Sequence, residues 1–559
     1  MPKFRVTIFD ELSSRRAIKY AIYTGAILFF LVLILIPPIF GIGLKWNLVG
    51  DILENEELMA RAANAIWASF AVALFVSIID LVAGIPTAWF IARRKSRWLN
   101  VIDTLADIPF VVPTVTLGYS LLLFWSDPQG ISSLFGSSLV SPGWLLVILL
   151  HFVFSFPVVV RVMVGALFDY QRTFEEAART LGASTFTVDR TVTFPILRPS
   201  LIGAFVLAFA RSVSETGATI MVAEIFENGK RALAFENGAI FVREMKIAGE
   251  QGALVFVSLV LILISLAFFG VILFLGPRLR VPIRRVWPSF ERKLSSKGVA
   301  ATRDTSTLLV FFLLVIIPSL FVAFPTINSI VDGTINKAVA GSGDWYDYWT
   351  SLGVSYFIGG IATILSVLAG LPMAILIARK RLGRSVSSVL DILVNIPIIV
   401  PSTALGASLA IFWTNFAFMP EIILLILAHL SITYSYFVRS MAAAIERTDI
   451  ELENAARIHG AKPFTVFRTI ILPLTKYSLL AGAIMVLTRS ISETGATIAV
   501  VSKLQTAPVL LVNWVNQYRD NPLGAITQSD IGLGCGILII LSFIVLISLK
   551  LGVGRKATY

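Results

Sequence analysis

The sequence predicts an all-α polytopic membrane protein with twelve transmembrane helices in two parallel, pseudo-symmetric halves of six. Three observations support this fold class. Of the 559 residues, 57% are hydrophobic and 14% are charged, against about 25% charged residues in an ordinary soluble domain. The mean hydropathy is +0.85, and apolar runs of about twenty residues recur along the chain. The second half of the sequence also repeats the first.

The apolar runs and the charges between them predict the topology. Runs able to cross a hydrocarbon core of about 30 Å lie near residues 20–38, 64–91, 106–125, 144–167, 200–224, 253–276, 306–325, 353–378, 390–413, 421–444, 478–501 and 531–551. Basic residues occupy alternate connections, such as 93–97, 278–297 and 379–384, whereas Glu54 and Asp332 lie in opposite ones. The positive-inside rule therefore predicts a multi-pass plasma or inner membrane protein with both termini cytoplasmic. The first run lacks a cleavage site and is expected to remain as a helix.

Composition and motifs exclude several other classes. The net charge of +12 is spread over short segments between apolar runs, which indicates membrane topology and no nucleic-acid partner. One cysteine, Cys535, and three histidines cannot form a disulfide framework or a histidine-rich metal path. The sequence has no phosphate-binding Gly-x-x-x-x-Gly-Lys-Ser/Thr motif, because Gly229-Lys230 is followed by arginine. We therefore expect a non-enzymatic chain without a bound cofactor or metal.

The internal duplication defines the two halves. Residues 175–220 align without gaps to 453–498, and 23 of the 46 positions are identical. Residues 83–93 and 108–113 also have matches in the second half. An even number of spans separates the repeats, so both halves have the same orientation and a pseudo-two-fold axis runs along the membrane normal. A central pathway between the halves follows from this symmetry.

The duplication also predicts the domain boundaries. The first six-helix half covers residues 1–276 and the second covers 306–559. Between them, residues 277–305 form a basic, proline-containing linker that we interpret as a cytoplasmic joint between two ancestral chains. A patch that binds lipid head groups is compatible with the same composition.

The best-matched polar segments run from Glu175 to Ala183 and from Glu453 to Ala461. An acidic residue and alanines favour a short helix, glycine permits the left-handed backbone that ends it, and a later proline marks re-entry into the bilayer. This pattern predicts a protruding helix-turn-helix on the cytoplasmic face of each half. Two such protrusions suit docking on a symmetric partner; the alternative is an ordinary solvated loop.

These segments resemble the EAA loop of permease subunits in binding-protein-dependent ABC importers. The resemblance covers the whole chain as two six-span units, and it is strongest to the group that serves sulfate, molybdate or tungstate, ferric iron, thiamine and phosphonates. Asn454 departs from the motif, where the first half has Glu176. The residues carried over as ATPase-coupling are Glu175, Ala177, Ala178, Gly182, Glu453, Ala455, Ala456 and Gly460.

The resemblance implies the partners as well as the role. In this family the EAA loop supplies a coupling helix that enters a groove of the ATPase subunit. It implies two copies of an ABC ATPase that carry ATP and Mg, an extracytoplasmic solute-binding protein, and membrane lipid around the chain. Hydrolysis of ATP would then occur on those separate subunits.

A second duplicated element, 211–220 and 489–498, places charged and hydroxyl residues inside the membrane. If the fifth span of each half begins near Ser200 or Ser478, Glu215 and Glu493 lie about 22 Å along it. One interpretation is an i,i+4 ion pair from each arginine to the following glutamate, with Gly217 and Gly495 allowing close packing. The other is a substrate path that offers hydrogen-bond donors to an anion. Its candidate residues are Arg211, Ser212, Ser214, Glu215, Thr216, Thr219, Arg489, Ser490, Ser492, Glu493, Thr494, Thr497, Thr114 and Ser402.

Proline-interrupted helices at 109–113 and 397–401 supply a second wall of this path, or simple helix kinks. The equivalent histidines, His151 and His429, are interpreted as packing residues. Between Trp125 and His151 the first half has ten more residues than the second half has after Trp413. We expect this longer outward loop, residues 126–143, to contact a solute-binding protein or to plug the pathway.

Together these features predict the permease of an ATP-driven importer that moves a small anionic solute by alternating access. An oxyanion, a phosphate ester or a phosphonate would suit the hydroxyls and arginines. The same importer class could instead carry ferric iron or thiamine. An ion-gradient-driven secondary transporter would explain twelve helices but not the paired loops.

Overall fold

The computed structural model describes residues 8–93, 97–128, 130–227, 230–275, 287–416, 419–500 and 503–552. Those ranges are helical apart from one short hairpin and connecting turns. The predicted cytoplasmic termini, with Lys3, Arg5, Arg555 and Lys556, lie outside the described residues, as does the basic linker through residue 286.

The first half contains long membrane helices joined by short ones. Its helices are Ile8–Ser14, Arg16–Phe29, Ile36–Leu44, Val49–Glu54, Glu56–Arg93, Arg97–Leu105, Ile108–Val111, Thr114–Trp125, Trp144–Asp169, Thr173–Thr180, Thr185–Val188, Phe194–Val213, Gly217–Ala223, Gly238–Ala248 and Gln251–Leu275. Short π segments Phe30–Leu35 and Asp189–Thr193 join adjacent helices, and 3₁₀ turns occupy Trp46–Leu48 and Ile131–Leu134. Strands Glu224–Glu227 and Lys230–Leu233 pair antiparallel.

The second half repeats this order without the hairpin among its described residues. Its helices are Pro288–Leu294, Lys297–Val310, Ile317–Leu320, Ala323–Val331, Thr334–Ala340, Asp344–Ala378, Arg384–Ile399, Ser402–Trp413, Glu421–Arg447, Ile450–Ile458, Pro463–Val466, Leu472–Ile491, Gly495–Val500, Ala507–Asp520 and Gln528–Gly552. The π segments Phe311–Ile316 and Phe467–Ile471 correspond to those of the first half. Two of these helices, Pro288–Leu294 and Lys297–Val310, begin inside the predicted linker.

Ten helices in the described part of the chain are long and apolar enough to cross a membrane, and two bent pairs bring the number to twelve. The bends, of 106° and 103°, interrupt the predicted spans near 106–125 and 390–413. Each follows from a proline, because Val112 and Val400 precede Pro113 and Pro401 and are extended, with ψ of 124° and 133°. The predicted proline interruptions at 109–113 and 397–401 are therefore confirmed, and the helix number agrees.

Each half extends its first membrane helix across the other half. Ser120 Oγ, in the first half, donates to the Pro318 carbonyl at 2.7 Å and accepts from the Val322 amide at 2.9 Å. In the reverse direction, Phe30 stacks on Tyr434 with ring centroids 5.7 Å apart. The two hydrophobic cores consequently mix residues of both halves.

Candidate functional site

The two predicted EAA helices form as expected. They span Thr173–Thr180 and Ile450–Ile458. Gly182 and Gly460 follow them with φ of 87° and 85°, a left-handed conformation that glycine adopts without a side-chain clash. The short helix and the glycine turn are thus confirmed in both halves.

Each EAA helix exposes apolar surface. Leu181 is 89% exposed in the first half, and Ile458 is 84% exposed in the second. Phe174 and Leu452, at equivalent positions, are about half exposed. The alanines of the motif lie exposed or partly exposed between them. Exposed apolar groups on a surface facing water are typical of an interaction site.

The first glutamate of each motif faces the protein instead of solvent. Glu175 is 6% exposed and forms an ion pair with Arg93, and it also accepts a hydrogen bond from Thr193 Oγ1 at 3.1 Å. Glu453 is 1% exposed and pairs with Arg379 at 2.8 Å and Arg457 at 3.2 Å. Because Arg93 and Arg379 end the long helices Glu56–Arg93 and Asp344–Ala378 or directly follow them, these pairs fix the EAA helices to the membrane-spanning body.

Each half also contributes one short helix that binds the EAA helix-turn-helix of the other half. We call helix Ile8–Ser14 the N-terminal clasp and helix Pro288–Leu294 the linker clasp. In the N-terminal clasp, Asp10 accepts hydrogen bonds from the Thr465 amide at 2.9 Å and from its hydroxyl at 2.6 Å. Ser13 Oγ accepts from the Phe464 amide at 3.1 Å.

The linker clasp repeats this arrangement on the first half. Glu291 accepts from the Thr187 hydroxyl and pairs with Arg190 at 2.6 Å. Ser295 Oγ, just after the helix, accepts from the Phe186 amide at 2.9 Å. Asp10 and Glu291 are 1% and 2% exposed, so both carboxylates are removed from solvent. The hydrogen bond from Thr187 is the main cause that lowers the pKa of Glu291 below its ordinary value.

The predicted intramembrane seam contains a break that the sequence interpretation missed. Helices end at Val213 and Ile491 and restart at Gly217 and Gly495, so the continuous spans expected near 200–224 and 478–501 are wrong. Glu215 lies in the first break and accepts from the Ala218 amide at 2.8 Å; Glu493 accepts from the Ala496 amide at 2.9 Å. Each carboxylate therefore caps the N-terminus of the next helix, where the helix dipole favours negative charge.

The two breaks meet where the halves touch, and we call this contact the central crossing (Thr114, Ser402, Thr216, Gly217, Thr494, Gly495). A Cβ on Gly217 would lie 2.6 Å from Thr494, and one on Gly495 would lie 2.7 Å from the Thr216 hydroxyl. The predicted close packing at both glycines is confirmed, and it is packing between halves.

Two symmetric hydrogen bonds complete the central crossing. Thr114 Oγ1 donates to the Ser492 carbonyl at 3.3 Å, and Ser402 Oγ donates to the Ser214 carbonyl at 3.2 Å. Thr114 is the most exposed of the crossing's four hydroxyl residues, at 5%. Side chains of each half consequently contact the backbone of the other directly at this level.

Four of the candidate hydroxyls bind histidine within their own half. His151 Nδ1 lies 2.7 Å from Ser212 Oγ, and its Nε2 lies 2.9 Å from Thr219 Oγ1. His429 makes the equivalent bonds with Ser490 and Thr497 at 2.8 and 3.0 Å. These rings are buried and both nitrogens are used, so they hold the helix Trp144–Asp169 or Glu421–Arg447 against the break.

The remaining hydroxyls of the seam serve the backbone. Ser214 Oγ donates to the Arg211 carbonyl at 3.0 Å, and Ser492 Oγ donates to the Arg489 carbonyl at 3.2 Å. These bonds close the last turn of the helix before each break. Thr216 Oγ1 is buried without a hydrogen-bond partner among the described residues.

The arginines of the seam differ between the halves. Arg489 Nη1 forms the expected ion pair with Glu493 Oε2 at 2.5 Å. The expected pair of Arg211 with Glu215 is wrong: among the described residues Arg211 has no ion pair. Its guanidinium lies instead between two phenylalanine rings, 4.5 Å from Phe110 and 3.9 Å from Phe154.

The longer loop 126–143 folds back on its own half where it is described. The Val140 amide donates to the Trp125 carbonyl at 3.1 Å, and the Gly143 amide donates to the Val222 carbonyl at 3.1 Å. Gln528 of the second half reaches Asp127 at 3.4 Å. The loop thus covers the end of helix Thr114–Trp125 at the interface between the halves.

Several structural partners were not singled out from the sequence. The sequence analysis treated Arg93 and Arg379 only as basic charges of cytoplasmic loops. Their equivalent positions in the duplication could have indicated a shared structural role. Asp10 and Glu291 carried no signal, because each binds the opposite half. Asp80 is fully buried and accepts from Ser155, and nothing in the local pattern distinguished it.

Comparisons with known proteins agree with the two-half division. The family described as "Binding-protein-dependent transport system inner membrane component" matches residues 84–281 and 366–553. The sulfate transport system permease protein CysT of Salmonella typhimurium is 30% identical over 224 residues, which is 38% of this chain and 78% of that protein. The molybdenum transport system permease protein ModB of Escherichia coli is 33% identical over 209 residues, 36% of this chain and 90% of that protein.

Proposed function

Because this chain belongs to the family of binding-protein-dependent transport system inner membrane components, we propose that it is the fused permease of an importer for a small oxyanion. It is a multi-pass inner-membrane protein and an ABC importer permease. ATP hydrolysis belongs to separate ATPase subunits, and a solute-binding protein works with permeases of this family. The proposal concerns the copy number, the mechanism and the solute.

The observation that carries the proposal is the paired EAA helices. Both halves expose an apolar side chain, Leu181 just after the first EAA helix and Ile458 at the end of the second, and the buried glutamate of each helix is tied to the body of the permease. Leu181 aligns with His459, and the equivalent apolar pair is Phe174 and Leu452, each about half exposed. An apolar surface repeated in both halves suits two copies of one ATPase. The ATPases would hold ATP and Mg, and this chain would bind no cofactor. Both chain termini would lie on the same, cytoplasmic side as the EAA helices.

The central crossing is the proposed gate. It is closed and its residues are buried, and it joins the halves by two weak hydroxyl-to-carbonyl bonds and two glycine contacts. ATP binding would draw the EAA helices together, and the rigid Arg93–Glu175 and Arg379–Glu453 anchors would pass that movement to the long helices. Separation at the crossing would then open the pathway by alternating access.

An oxyanion is the proposed solute class. The relatives named above are permeases for sulfate and molybdenum transport. The seam of this chain carries a guanidinium without an ion pair among the described residues, Arg211, and guanidinium groups bind tetrahedral oxyanions. Phosphate esters and phosphonates share this chemistry. Ferric iron would need anionic groups at the pathway, and the two seam glutamates are both used as helix caps.

The test is uptake by the complete complex. The permease is reconstituted in liposomes with its ATPase and its binding protein, and ATP-dependent uptake of labelled sulfate and molybdate is measured beside ATPase activity. We expect uptake of at least one of them, and loss of uptake with continued ATPase activity in Gly182→Asp and Gly460→Asp, because a side chain strains the left-handed turn. Normal uptake by both variants would contradict the docking role, and stimulation by ferric iron or thiamine alone would contradict the anion class.

A further inference from the structure

We propose that Arg211 is the residue that contacts the transported anion at the central crossing, and that its counterpart Arg489 only holds the fold. This inference rests on the proposed function and assigns its substrate contact to one half. It makes the translocation path chemically asymmetric although its backbone is symmetric.

The surroundings of Arg211 leave its charge available. The guanidinium stacks between the rings of Phe110 and Phe154, and Nε donates to the Phe154 carbonyl at 2.9 Å. Its Nη1 and Nη2 atoms donate to no protein group among the described residues. Glu215, four residues later, accepts a hydrogen bond from the Ala218 amide and forms no ion pair with Arg211. The side chain is partly exposed, unlike the fully buried residues that follow it.

The surroundings of Arg489 neutralise its charge. Its Nη1 atom lies 2.5 Å from Glu493 Oε2, and the two side chains are 13% and 1% exposed. The phenol of Tyr436 lies beside it and acts as a further hydrogen-bond partner. An anion could bind Arg489 only after breaking this ion pair, which would leave the buried Glu493 carboxylate without a cationic partner.

The duplication explains the difference at the level of single residues. Phe110 corresponds to Ile398 and Phe154 to Ile432 in the second half, so neither ring that flanks Arg211 has an aromatic counterpart there. Val158 corresponds to Tyr436, so the first half has no tyrosine of its own at this position, although the Tyr436 phenol also acts on Arg211 from the other half. A guanidinium gains energy over an aromatic face but not over an aliphatic side chain. Three paired replacements therefore direct Arg211 to the rings and Arg489 to the acid.

This geometry suits an oxyanion. The rings hold the guanidinium plane, and the two terminal nitrogens form a fixed fork that can donate two parallel hydrogen bonds to two oxygens. Ser214 is the C-cap of the helix that carries Arg211 in its last turn, and the Ser214 carbonyl accepts a hydrogen bond from Ser402 across the crossing. An anion that enters between the separated halves would thus meet Arg211 beside the gate.

The decisive variant is Arg211→Gln in the reconstituted complex with ATPase and binding protein, with molybdate and sulfate as probes. Loss of a charged hydrogen-bond donor predicts that uptake falls at least about tenfold. Assembly and the stimulation of ATPase activity by the loaded binding protein should stay normal. Arg211→Lys, which keeps the charge without the fork, should fall between. The paired variant Arg489→Gln/Glu493→Gln, which removes both charges together, should lose less than threefold.

A second variant keeps Arg211 and changes only its neighbours. Phe110→Ile/Phe154→Ile gives the first half the side chains of the second, so Arg211 should turn to Glu215 and uptake should fall as in Arg211→Gln. Ile398→Phe, a matched ring insertion in the second half, is the control and should not improve uptake.

The outcomes separate the two proposals. If the unmodified complex takes up neither anion, the proposed function is wrong and this inference fails with it. If the unmodified complex transports but Arg211→Gln transports equally well, only the assignment of Arg211 fails. If Arg211→Gln loses assembly while Phe110→Ile/Phe154→Ile assembles and transports normally, Arg211 is structural and the inference is likewise overturned.

Discussion

The two halves of this permease agree closely in backbone and differ sharply at one charge. Both have a left-handed glycine after the EAA helix, a buried glutamate anchored to an arginine, and a helix break capped by a glutamate. Yet Arg489 pairs with Glu493, whereas Arg211 lies between two phenylalanine rings. The same motif therefore gives the same backbone in both halves, whereas the residues packed against the motif determine which group the buried arginine contacts.

The largest expected effect is a difference in the free energy of unfolding between the Arg489→Gln and Arg211→Gln variants. Arg489→Gln leaves Glu493 buried and unpaired, which costs about 3–5 kcal/mol. Arg211→Gln removes no ion pair and should cost much less. Thermal unfolding of the purified variants measures both, and Arg489→Gln/Glu493→Gln should recover most of the stability. Equal destabilisation by the two single variants would mean that the halves do not differ in this way.

A smaller effect tests the part of the comparison in which the halves agree. An alanine Cβ at Gly217 or Gly495 would lie within 2.7 Å of the opposite threonine or of Ser402. Overpacking predicts a loss of about 1–3 kcal/mol in either variant, and weaker closure of the crossing. Gly203→Ala is the matched control, because a Cβ there meets no atom within 4 Å. Unfolding temperatures and basal ATPase activity report the effect; unaffected Gly217→Ala and Gly495→Ala would argue against a tight crossing.

The smallest effect concerns the clasps. The pKa of Glu291 is lowered in the folded protein, so its contribution is present above the pKa of an unfolded glutamate and is lost as pH falls. The unfolding temperature of the unmodified protein should therefore exceed that of Glu291→Gln at pH 7. The difference should shrink as pH falls below about 4.3, the ordinary glutamate value, toward the lowered pKa of folded Glu291.

Asp10→Asn is the matched variant of the N-terminal clasp. It should lower the unfolding temperature at pH 7 in the same direction, since Asp10 also accepts from a threonine amide and hydroxyl. A pH-independent difference for Glu291→Gln would show that the ionised carboxylate does not hold the linker clasp.

Much of the fold could be predicted from the sequence, since its determinants are local. The apolar runs located the membrane helices, and the Glu-x-Ala-Ala and glycine spacing predicted the EAA helices with their left-handed turns. The prolines after Val112 and Val400 signalled an interruption but not its angle. The breaks at Glu215 and Glu493 escaped prediction, because an arginine, a glutamate and apolar neighbours are equally compatible with an unbroken helix.

The site was less predictable because it depends on contacts between distant segments. The i,i+4 spacing of Arg211 and Glu215 allowed an ion pair, and the competing rings of Phe110 and Phe154 come from two other helices. Asp10 binds Thr465, 455 positions away in sequence. No local pattern records such partners, although the duplication marks the replacements Phe110 to Ile398 and Phe154 to Ile432.

The exchanged clasps have a consequence for how such a chain can diverge. Each half completes the other, so two identical halves would have to supply the same clasp and the same arginine environment to both sides. Joining them in one polypeptide fixes a one-to-one ratio at synthesis and favours the unlike pairing over two like copies. Because the ratio is fixed, substitutions that adapt solute binding can accumulate in one half while the other half keeps the contacts that hold the fold.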